Sequence, residues 1–339
     1  MAIVFASGGT GGHLIPALAI ASKLPQPPKF IVSSKPIDEK LMSKNNFEYL
    51  ILPLKAKNGF LDWLKSFMLT LKFFVQVRPK VVVGFGGFVS VIPVILAKVF
   101  GAKSFIFEAE LALGRANKLL QYFVDAILTV SNAITHQKAV MIGYPIRSEF
   151  LTFDWSQKSG WDGIIFIQGG SQGSEFFDLR IASVLSKIDS VTKIYHQCRN
   201  ENREQVVKVY QKSGKEFVVE SFFDRPWELY NISDLVVIRC GAGSIYETLF
   251  SGKPYIAVPY PHSTNDHQMR NAQFLNQINP SGVVLSQEDP LFDLKLIDFV
   301  ANVASGNIKL QVNHEVVRNL TDGVNKFINF LRKYDVLNE

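Results

Sequence analysis

Short apolar runs alternate with helix-length amphipathic segments along the whole chain. Near-continuous apolar strands separated by helices are typical of parallel sheets covered on both faces. The pattern therefore predicts an α/β protein with two doubly wound parallel-sheet domains. The predicted strands are 3–6, 30–32, 49–52, 81–83, 104–107 and 126–130 in the first half, and 163–167, 193–196, 217–219, 235–238, 255–258 and 282–285 in the second. Helices are predicted at 14–24, 60–77, 90–100, 269–278 and 324–334.

Glycine-rich segments recur at matching places in the two halves. Residues 7–13 follow the first strand of the first half, and residues 168–174 follow the first strand of the second half. A later strand in each half leads into 84–87 or into 239–243. This weak internal repeat predicts two similar domains.

The composition supports two globular domains and an anionic partner. A chain of 339 residues exceeds one ordinary core, and its 47% apolar and 19% charged residues are globular values. The domains are predicted at 1–147 and 148–322, with a linker near 145–160. The 36 basic and 30 acidic residues give a net charge of +6, which fits a nucleic acid, a phosphorylated substrate or a membrane surface.

The cysteine count and the apolar segments narrow the class of protein. Two cysteines, Cys198 and Cys240, argue against a disulfide scaffold and favour a reducing compartment. The first strand has no basic segment before it, so no signal peptide is expected. No run of 18 uncharged apolar residues occurs, so no transmembrane helix is predicted.

A glycine-rich turn between a strand and a helix can bind phosphate through its backbone. The turn presents N–H groups, and the helix dipole adds positive potential. One such turn could equally serve close packing, but four in matching positions favour a phosphate-bearing ligand. Ligands of open α/β sheets lie outside the carboxyl ends of the strands, so two facing domains would close a central cleft lined by these turns. The glycine spacings differ from those of nicotinamide and ATP sites.

Several polar residues at the predicted ligand ends are candidates for chemistry. His13 begins a helix after the first glycine-rich turn, and the helix N-terminus lowers its pKa and favours the neutral, basic form. Glu247, one turn into a helix, can accept two sugar hydroxyls, and the polar segment 259–268 suits sugar recognition. The alternatives are a capping or packing histidine, a dipole-compensating glutamate and an ordinary helix start. The other histidines show no metal-ligand spacing, so no metal site is predicted.

Five motifs in order along the chain resemble those of one known family. They are GGTGGHLIPALA at 8–19, GFGGFVS at 84–90, GGSQG at 169–173, RCGA at 239–242 and DHQMRNA at 266–272. As a highly specific set they resemble the MurG family of bacterial cell-wall synthesis. Its members are the UDP-N-acetylglucosamine–N-acetylmuramyl-(pentapeptide) pyrophosphoryl-undecaprenol N-acetylglucosamine transferases. The resemblance implies a GT-B fold, with a last helix at about 323–339 that packs back on the first domain.

The resemblance also implies a reaction and a location. Members of this family transfer GlcNAc from UDP-GlcNAc to the C4 hydroxyl of the muramyl sugar of lipid I, the undecaprenyl-linked acceptor. The anomeric centre is inverted, lipid II is the product, and neither a metal nor another cofactor is implied. Inversion in one displacement needs a base for the acceptor hydroxyl and stabilisation of the UDP leaving group. The implied location is the cytoplasmic face of the bacterial inner membrane, as a peripheral protein.

The matching motifs carry implied roles for individual residues. His13 is the implied base. The residues implied to contact the diphosphate are Thr10, Gly11, Gly12, Ser171, Gln172 and Arg147. Phe223 is implied to contact uracil, Glu247 the ribose, and His267 and Gln268 the transferred sugar. Asn117, Gly243 and Ser244 are implied to bind substrate, with no particular group assigned.

Three positions depart from the family pattern. Glu110 stands where an asparagine normally lies near the transferred sugar, which makes Glu110 a second candidate base or a partner of His13. Phe88 replaces a tyrosine, so no hydroxyl there can be essential. His267 replaces the first of two glutamines common in the family.

The predicted helix at 60–77 is more apolar than a surface helix requires. One stripe consists of Leu61, Leu64, Met68, Leu71 and Val75. A buried helix is one interpretation. The other is a face that binds an anionic membrane. The family resemblance favours the second, with a membrane face made of Trp63, Phe67, Phe74, Lys65 and Lys72.

Two other functions fit the same fold class. An enzyme like UDP-GlcNAc 2-epimerase would need no lipid acceptor, and the basic, aromatic segment argues against it. A non-catalytic sugar-nucleotide-binding subunit is disfavoured by His13 beside an intact donor half. No feature of the sequence requires a nucleic acid.

Overall fold

The structure is a computed structural model that describes residues 2–54, 59–153, 155, 160–263, 266–308, 312–334 and 336. The strands of this described part are β1 Ile3–Ala6, β2 Lys29–Ser33, β3 Tyr49–Leu52, β4 Val81–Gly84, β5 Lys103–Glu108, β6 Ala126–Thr129, β7 Ala139–Met141, β8 Ile164–Gln168, β9 Lys193–Gln197, β10 Glu216–Glu220, β11 Leu235–Ile238, β12 Tyr255–Ala257 and β13 Gly282–Val284.

Helices separate most of these strands, as the apolar periodicity predicts. They are α1 Gly11–Ala21, α2 Pro36–Ser43, α3 Phe60–Val77, α4 Val91–Val99, α5 Arg115–Leu120, α6 Ser148–Thr152, α7 Ala182–Leu185, α8 Arg203–Ser213, α9 Pro226–Ile232, α10 Ala242–Ser251, α11 His267–Ile278, α12 Phe292–Ala304, α13 His314–Thr321 and α14 Gly323–Lys333. A 3₁₀ turn at Phe88–Ser90 precedes α4, and a π-helical turn at Phe176–Ile181 precedes α7.

The chain folds into two compact units. Unit 1 comprises Met1–Ser148 and Asn319–Glu339, and unit 2 comprises Glu149–Arg318. Each unit is built around one parallel sheet. In each sheet a neighbouring pair of strands marks the point where the strand order reverses, which is where open α/β sheets bind their ligands.

The sheet of unit 1 has the strand order β3-β2-β1-β4-β5-β6-β7, and each of these neighbouring pairs is parallel. Its central strands β1 and β4 are short runs of buried apolar residues. Burial on both faces explains why they show no alternation of apolar and polar residues. The order reverses between β1 and β4, so the turns that follow these two strands lie side by side.

The segment after residue 318 completes unit 1. The Tyr144 amide donates to the Leu320 carbonyl over 2.6 Å. Phe327, on α14, is fully buried, with its ring 5.9 Å from that of Phe5 on β1 and 6.5 Å from that of Phe85 after β4. Helix α14 therefore covers the strands at the centre of the sheet.

The sheet of unit 2 has the strand order β10-β9-β8-β11-β12-β13, and each of these neighbouring pairs is again parallel. Its core contains buried apolar side chains from β8, β11 and β12 together with those of α7, α8 and α12. The order reverses between β8 and β11. The two sheets therefore share one plan, as the internal repeat of the sequence predicts.

Two differences from the sequence-based elements affect the interpretation. Helix α1 begins at Gly11 rather than at residue 14, and α11 begins at His267 rather than at residue 269. His13 and Gln268 thus lie within the first turns of helices. Strand β7 was not predicted, because three partly exposed residues give too short a pattern.

Helix α3 has the predicted bounds, Phe60–Val77. Its buried residues are Ser66, Thr70, Phe73 and Phe74, whereas the apolar stripe faces outward. Leu61 is 76% exposed, Met68 55% and Val75 58%. Among the described residues, no helix is long and apolar enough to cross a membrane.

The assignment of Phe74 to a membrane face is wrong. Its side chain is fully buried, and its ring packs edge-on against that of Phe100, 5.4 Å away. Trp63 is partly buried against the same core, while Phe67, Lys65 and Lys72 are exposed. Apart from Phe67, the exposed large apolar residues of α3 are Phe60, Leu61, Leu64, Met68 and Val75.

Candidate active site

In unit 1, His13 lies at the switch point between β1 and β4. Its Nδ1 atom is 3.1 Å from the carbonyl oxygen of Gly8 and 3.3 Å from the Thr10 hydroxyl oxygen. A carbonyl oxygen can only accept, so a hydrogen bond to Gly8 requires the proton on Nδ1, whereas the Thr10 hydroxyl can donate to or accept from this nitrogen. The Nε2 atom then keeps its lone pair, as a general base requires.

The turn after β4 packs directly against the His13 ring. A Cβ atom on Gly86 would lie 2.9 Å from His13 Cδ2, and one on Gly87 would lie 2.4 Å from the carbonyl oxygen of Gly8. Both glycines also have positive φ angles, 103° and 78°. Only glycine fits both the space and the backbone conformation, so this turn holds the imidazole in place.

The surroundings of His13 lower the pKa of the imidazole from its ordinary value of 6.5. Burial is the largest cause, because it disfavours the charged form, and the positive charge of Lys35 acts in the same direction. The bond to Gly8 and the charges of Glu110 and Asp38 oppose this shift. His13 is therefore neutral at neutral pH and available as a base.

Side chains from the segment around α2 hold the first glycine-rich turn. The Gly9 amide donates to Asp38 Oδ2 over 2.7 Å, and the Lys35 ammonium donates to the Gly9 carbonyl over 2.7 Å. The Gly9 N–H is therefore bonded within the protein, and Gly9 is not among the residues predicted to contact the diphosphate. Helix α1 begins at Gly11, and the first N–H groups of a helix lack acceptors within it.

A buried carboxylate organises the loop that carries Glu110. Glu108 accepts hydrogen bonds from the amides of Gly114 and Glu110, at 2.7 and 3.1 Å, and from Asn117 Nδ2 at 3.0 Å. Burial raises the pKa of Glu108 to about 7, against the effect of these three donors. Asn117 is 3% exposed, and its Nδ2 also donates to the Phe107 carbonyl. The Asn117 amide nitrogen thus stabilises the loop from inside.

In unit 2, the turn after β8 carries two of the predicted phosphate-binding residues, Ser171 and Gln172. Both are exposed. Gly170 and Gly173 on either side have positive φ angles of 84° and 69°. The side-chain Nε2 of Gln197, at the end of β9, donates to the Gly170 carbonyl over 3.1 Å. The turn therefore presents the two polar residues at its tip.

Glu247 lies near the start of α10, next to the last residue of β8. It is 5% exposed, and Gln168 Nε2 donates to its carboxylate over 3.3 Å. The hydroxyl of Tyr230 donates to Gln168 Oε1 over 3.0 Å, which fixes the orientation of that amide. Gln168 was not singled out as a site residue, because its link to Glu247 spans 79 positions of the sequence.

Arg239 is a buried cation that donates hydrogen bonds to neutral acceptors. At 6% exposure, its guanidinium donates to the Ser174 hydroxyl, to the Val258 and Pro259 carbonyls, and to Gln287 Oε1, at distances from 2.7 to 3.2 Å. Burial lowers its pKa to about 10. Arg239 therefore joins the segment after β8 to the loops after β12 and β13. Arg239 lies in one of the sequence motifs, but no role was predicted for it.

The other predicted site residues lie at or near the same edges of their own units. Gln268 accepts a hydrogen bond from the Tyr260 amide over 2.9 Å. The Phe223 ring lies 5.7 Å from that of Phe166 on β8. Gly243, Ser244 and His267 lie at the starts of α10 and α11, and Arg147 lies half-buried at the end of unit 1.

Comparisons with known proteins agree with this architecture. Residues 3–129 match the glycosyltransferase family 28 N-terminal domain, and residues 164–317 match the glycosyltransferase family 28 C-terminal domain. A protein of Shewanella sp. (strain ANA-3), named UDP-N-acetylglucosamine–N-acetylmuramyl-(pentapeptide) pyrophosphoryl-undecaprenol N-acetylglucosamine transferase, is 33% identical over 293 residues. The match covers 80% of this chain and 81% of the relative.

Solved structures share the fold. The crystal structure of Acinetobacter baumannii MurG matches with a TM-score of 0.74 at 21% identity, over 98% of this chain and 99% of that one. A UDP-GlcNAc 2-epimerase from Neisseria meningitidis matches with a TM-score of 0.65 at 11% identity, over 98% of this chain and all of that one. At these identities, the likeness concerns the fold alone.

The two switch-point sheets and their glycine-rich turns define a glycosyltransferase of the GT-B class. Within that class, the chain belongs to the MurG family, a part of glycosyltransferase family 28.

Proposed function

We propose that this protein transfers GlcNAc from UDP-GlcNAc to the C4 hydroxyl of the muramyl sugar of lipid I, with inversion, and so makes lipid II. The names of its relatives support both substrates. The observation that carries the chemistry is His13, whose Nδ1–H is bonded to a backbone carbonyl so that Nε2 is free to act as a base. Unit 1 is then the acceptor domain, and unit 2 is the UDP-GlcNAc domain.

In the proposed step, the acceptor hydroxyl attacks C1 of GlcNAc while its proton moves to Nε2 of His13. The bond between C1 and the phosphate oxygen breaks, and UDP leaves with the electron pair. His13 suits this role because its lowered pKa keeps it neutral at the start of the reaction. The proton is returned to solvent after the product leaves.

The leaving UDP needs electrostatic stabilisation, which the proposed donor residues supply. Ser171 and Gln172 would bind the phosphates, with the N-terminal amides of α10 nearby in the same unit. Glu247 would accept hydrogen bonds from the ribose, held in place by Gln168. His267 and Gln268 would bind the hydroxyls of the transferred sugar.

The acceptor carries a long lipid, so the protein must meet a membrane surface. The outward apolar stripe of α3, flanked by the exposed Lys65 and Lys72, is suited to an anionic bilayer. We propose that this face binds the membrane peripherally, on the cytoplasmic side, where UDP-GlcNAc is present.

The test is incubation with radiolabelled UDP-GlcNAc in the presence and absence of lipid I. The proposed function predicts label in the lipid fraction only when lipid I is present. An epimerase would convert the labelled sugar without acceptor, and a binding subunit would leave it unchanged; either result would contradict the proposal.

Two variants then identify the base. His13→Gln is expected to lower kcat about 10²- to 10⁴-fold, the usual contribution of a general base. Glu110→Gln is expected to retain most of the activity but to shift the acid limb of the pH–rate profile to lower pH, because Glu110 raises the pKa of His13. If Glu110→Gln abolishes transfer and His13→Gln does not, Glu110 is the base instead.

A further inference from the structure

The peptide group between Gly8 and Gly9 is hydrogen-bonded at both of its ends. Its N–H, which belongs to Gly9, donates to Asp38 Oδ2 over 2.7 Å. Its C=O, which belongs to Gly8, accepts the Nδ1–H of His13 over 3.1 Å. One planar, resonant group therefore connects the carboxylate of Asp38 to the imidazole of His13.

Asp38 is built into this position by its surroundings. Its residue is fully buried in α2, and the Ser33 hydroxyl donates to the same oxygen that accepts the Gly9 N–H. A Cβ atom on Gly8 would lie 2.6 Å from that oxygen and 2.8 Å from the Ser33 amide nitrogen. The carboxylate thus packs directly on the Gly8–Gly9 backbone, and only glycine permits the approach.

The other end of the connection is equally constrained. The turn at Gly86 and Gly87 leaves no space for a Cβ atom beside the His13 ring or the Gly8 carbonyl. The His13 ring therefore packs closely against the turn at Gly86. The connection from carboxylate to imidazole is therefore held from both sides.

A negative charge at the N–H end of a peptide group strengthens its carbonyl as a hydrogen-bond acceptor. Chains of hydrogen bonds polarise one another in this way, and bonds to ionised groups are the stronger ones. When His13 takes a proton, the resulting imidazolium donates through Nδ1 to this strengthened carbonyl. The charged groups that act on His13 are Asp38 and Glu110, which favour its protonated form, and Lys35, which opposes it.

We propose that Asp38 is a positioning residue that fixes His13 in the Nδ1–H tautomer and stabilises its protonated form through the Gly8–Gly9 peptide. In many hydrolases a carboxylate does this by direct contact with the histidine. Here one backbone peptide lies between the two side chains. The inference rests on the proposed role of His13 as the base.

The first test needs neither substrate nor substitution of Asp38. Nitrogen NMR of protein labelled with ¹⁵N-histidine, with the His13 signal assigned by its loss in His13→Gln, reports which ring nitrogen is protonated. The proposal requires neutral His13 to be the Nδ1–H tautomer, although the Nε2–H form is the alternative open to any imidazole. An Nε2–H tautomer in the wild-type protein would overturn it.

The second test replaces the charge and keeps the shape. In Asp38→Asn, the amide oxygen can still accept the Gly9 N–H and the Ser33 hydroxyl hydrogen. We expect kcat for GlcNAc transfer to fall about 10- to 100-fold, the range for outer residues that orient a functional imidazole, with KM for UDP-GlcNAc unchanged. The pKa of His13, read by NMR and from the acid limb of the kcat profile, is expected to fall further.

Glu39→Gln is the matched control, because it removes the same charge from an exposed neighbour on the same helix. It is expected to leave kcat and the pKa of His13 unchanged. If Asp38→Asn lowers kcat while the pKa of His13 stays constant, Asp38 is only structural and the proposal is wrong. If Asp38→Asn does not fold, the NMR measurement of the His13 tautomer in the wild-type protein decides whether the proposal holds.

Failure of the proposed function gives a different result. A wild-type protein that transfers no GlcNAc contradicts the function, yet the tautomer and the pKa of His13 still report on Asp38. A wild-type protein that is active, with His13 in the Nε2–H form, contradicts only the role of Asp38.

Discussion

At the residue scale, Glu108 shows how a buried carboxylate can hold a loop in place while lowering the stability of the fold. It accepts three hydrogen bonds that hold residues 109–114, yet burial raises its pKa from 4.5 to about 7. The folded protein therefore binds a proton at a pH where the unfolded chain has already released it. This difference makes the stability of unit 1 depend on pH.

The sign of this dependence follows from the raised pKa. The contribution of Glu108 is fully present below pH 4.5 and is lost as the pH rises through about 7. As the pH rises between these limits, the free energy of unfolding of the wild-type protein should fall by roughly 3 kcal/mol relative to that of Glu108→Gln, at about 1.4 kcal/mol for each pKa unit. Urea unfolding of both proteins in parallel from about pH 4.5 to about pH 8 measures it.

The difference between the two proteins is the informative quantity. The glutamine variant loses the hydrogen bond from the Glu110 amide at every pH, which shifts its curve without changing the slope. A difference that stays constant with pH would contradict the raised pKa of Glu108.

How far the sequence predicts individual residues depends on how local their contacts are. The position of His13 after the first strand was predictable, because the turn and the helix start are contiguous in sequence. Asp38 was not, since its contact with Gly9 spans 29 positions and exists only because β2 pairs with β1. The same reason hides Gln168 and Arg239, whose partners lie on helices and loops far away in the sequence.

At the element scale, α3 presents its most apolar stripe to the outside. The sequence predicts the helix and the stripe, but periodicity alone cannot say which side faces the sheet. The buried side contains Ser66 and Thr70, whose small side chains allow close packing, with Thr70 donating to the Ser66 carbonyl over 2.7 Å. Phe73 and Phe74 complete the buried side, and the outward side carries further large apolar residues, including Leu64 and Met68.

The exposed stripe gives a direct test of membrane binding. Replacing Leu61, Leu64 and Met68 together by Ser should weaken binding to phosphatidylglycerol vesicles at least about tenfold, because each buried apolar side chain contributes roughly 1 kcal/mol or more. The fold should survive, since these side chains are 76%, 47% and 55% exposed. Vesicle co-sedimentation measures the partitioning.

The matched control lies in unit 2. Leu291, Leu294 and Ile297 are 52%, 65% and 41% exposed, at the start of α12. Replacing these three by Ser removes a similar apolar area and should leave vesicle binding unchanged. Equal loss of binding in both triple variants would show that α3 is not a specific membrane face.

At the scale of the whole molecule, each unit repeats one plan, yet only unit 1 is assembled from two parts of the chain. Its sheet is formed before residue 148, and its covering helix α14 comes after residue 318. The repeated glycine-rich turns predicted that the two units share one plan, because each turn is a short, contiguous segment of the sequence. The family resemblance, rather than the periodicity, provided the expectation that the last helix packs back on the first domain.

Phe327 tests how far unit 1 depends on that helix. Phe327→Ala should destabilise unit 1 by about 3–5 kcal/mol, the usual cost of truncating a buried phenylalanine. Hydrogen exchange should speed up in β1 and β4 while β8 and β11 are unaffected. Asn329→Ala, at an exposed position of the same helix, is the control. Faster exchange in both sheets would contradict a unit-specific role.

The return of the chain to unit 1 has a consequence during synthesis on the ribosome. Once residue 148 has been made, the ribosome must add the 170 residues from 149 to 318 before the segment that carries α14 can emerge. At roughly 5–20 residues per second, that takes about 10–30 s. For this time, the ring faces of Phe5, Phe85 and Phe105 lack their partners from α14. The first unit to begin folding is therefore the last to be completed.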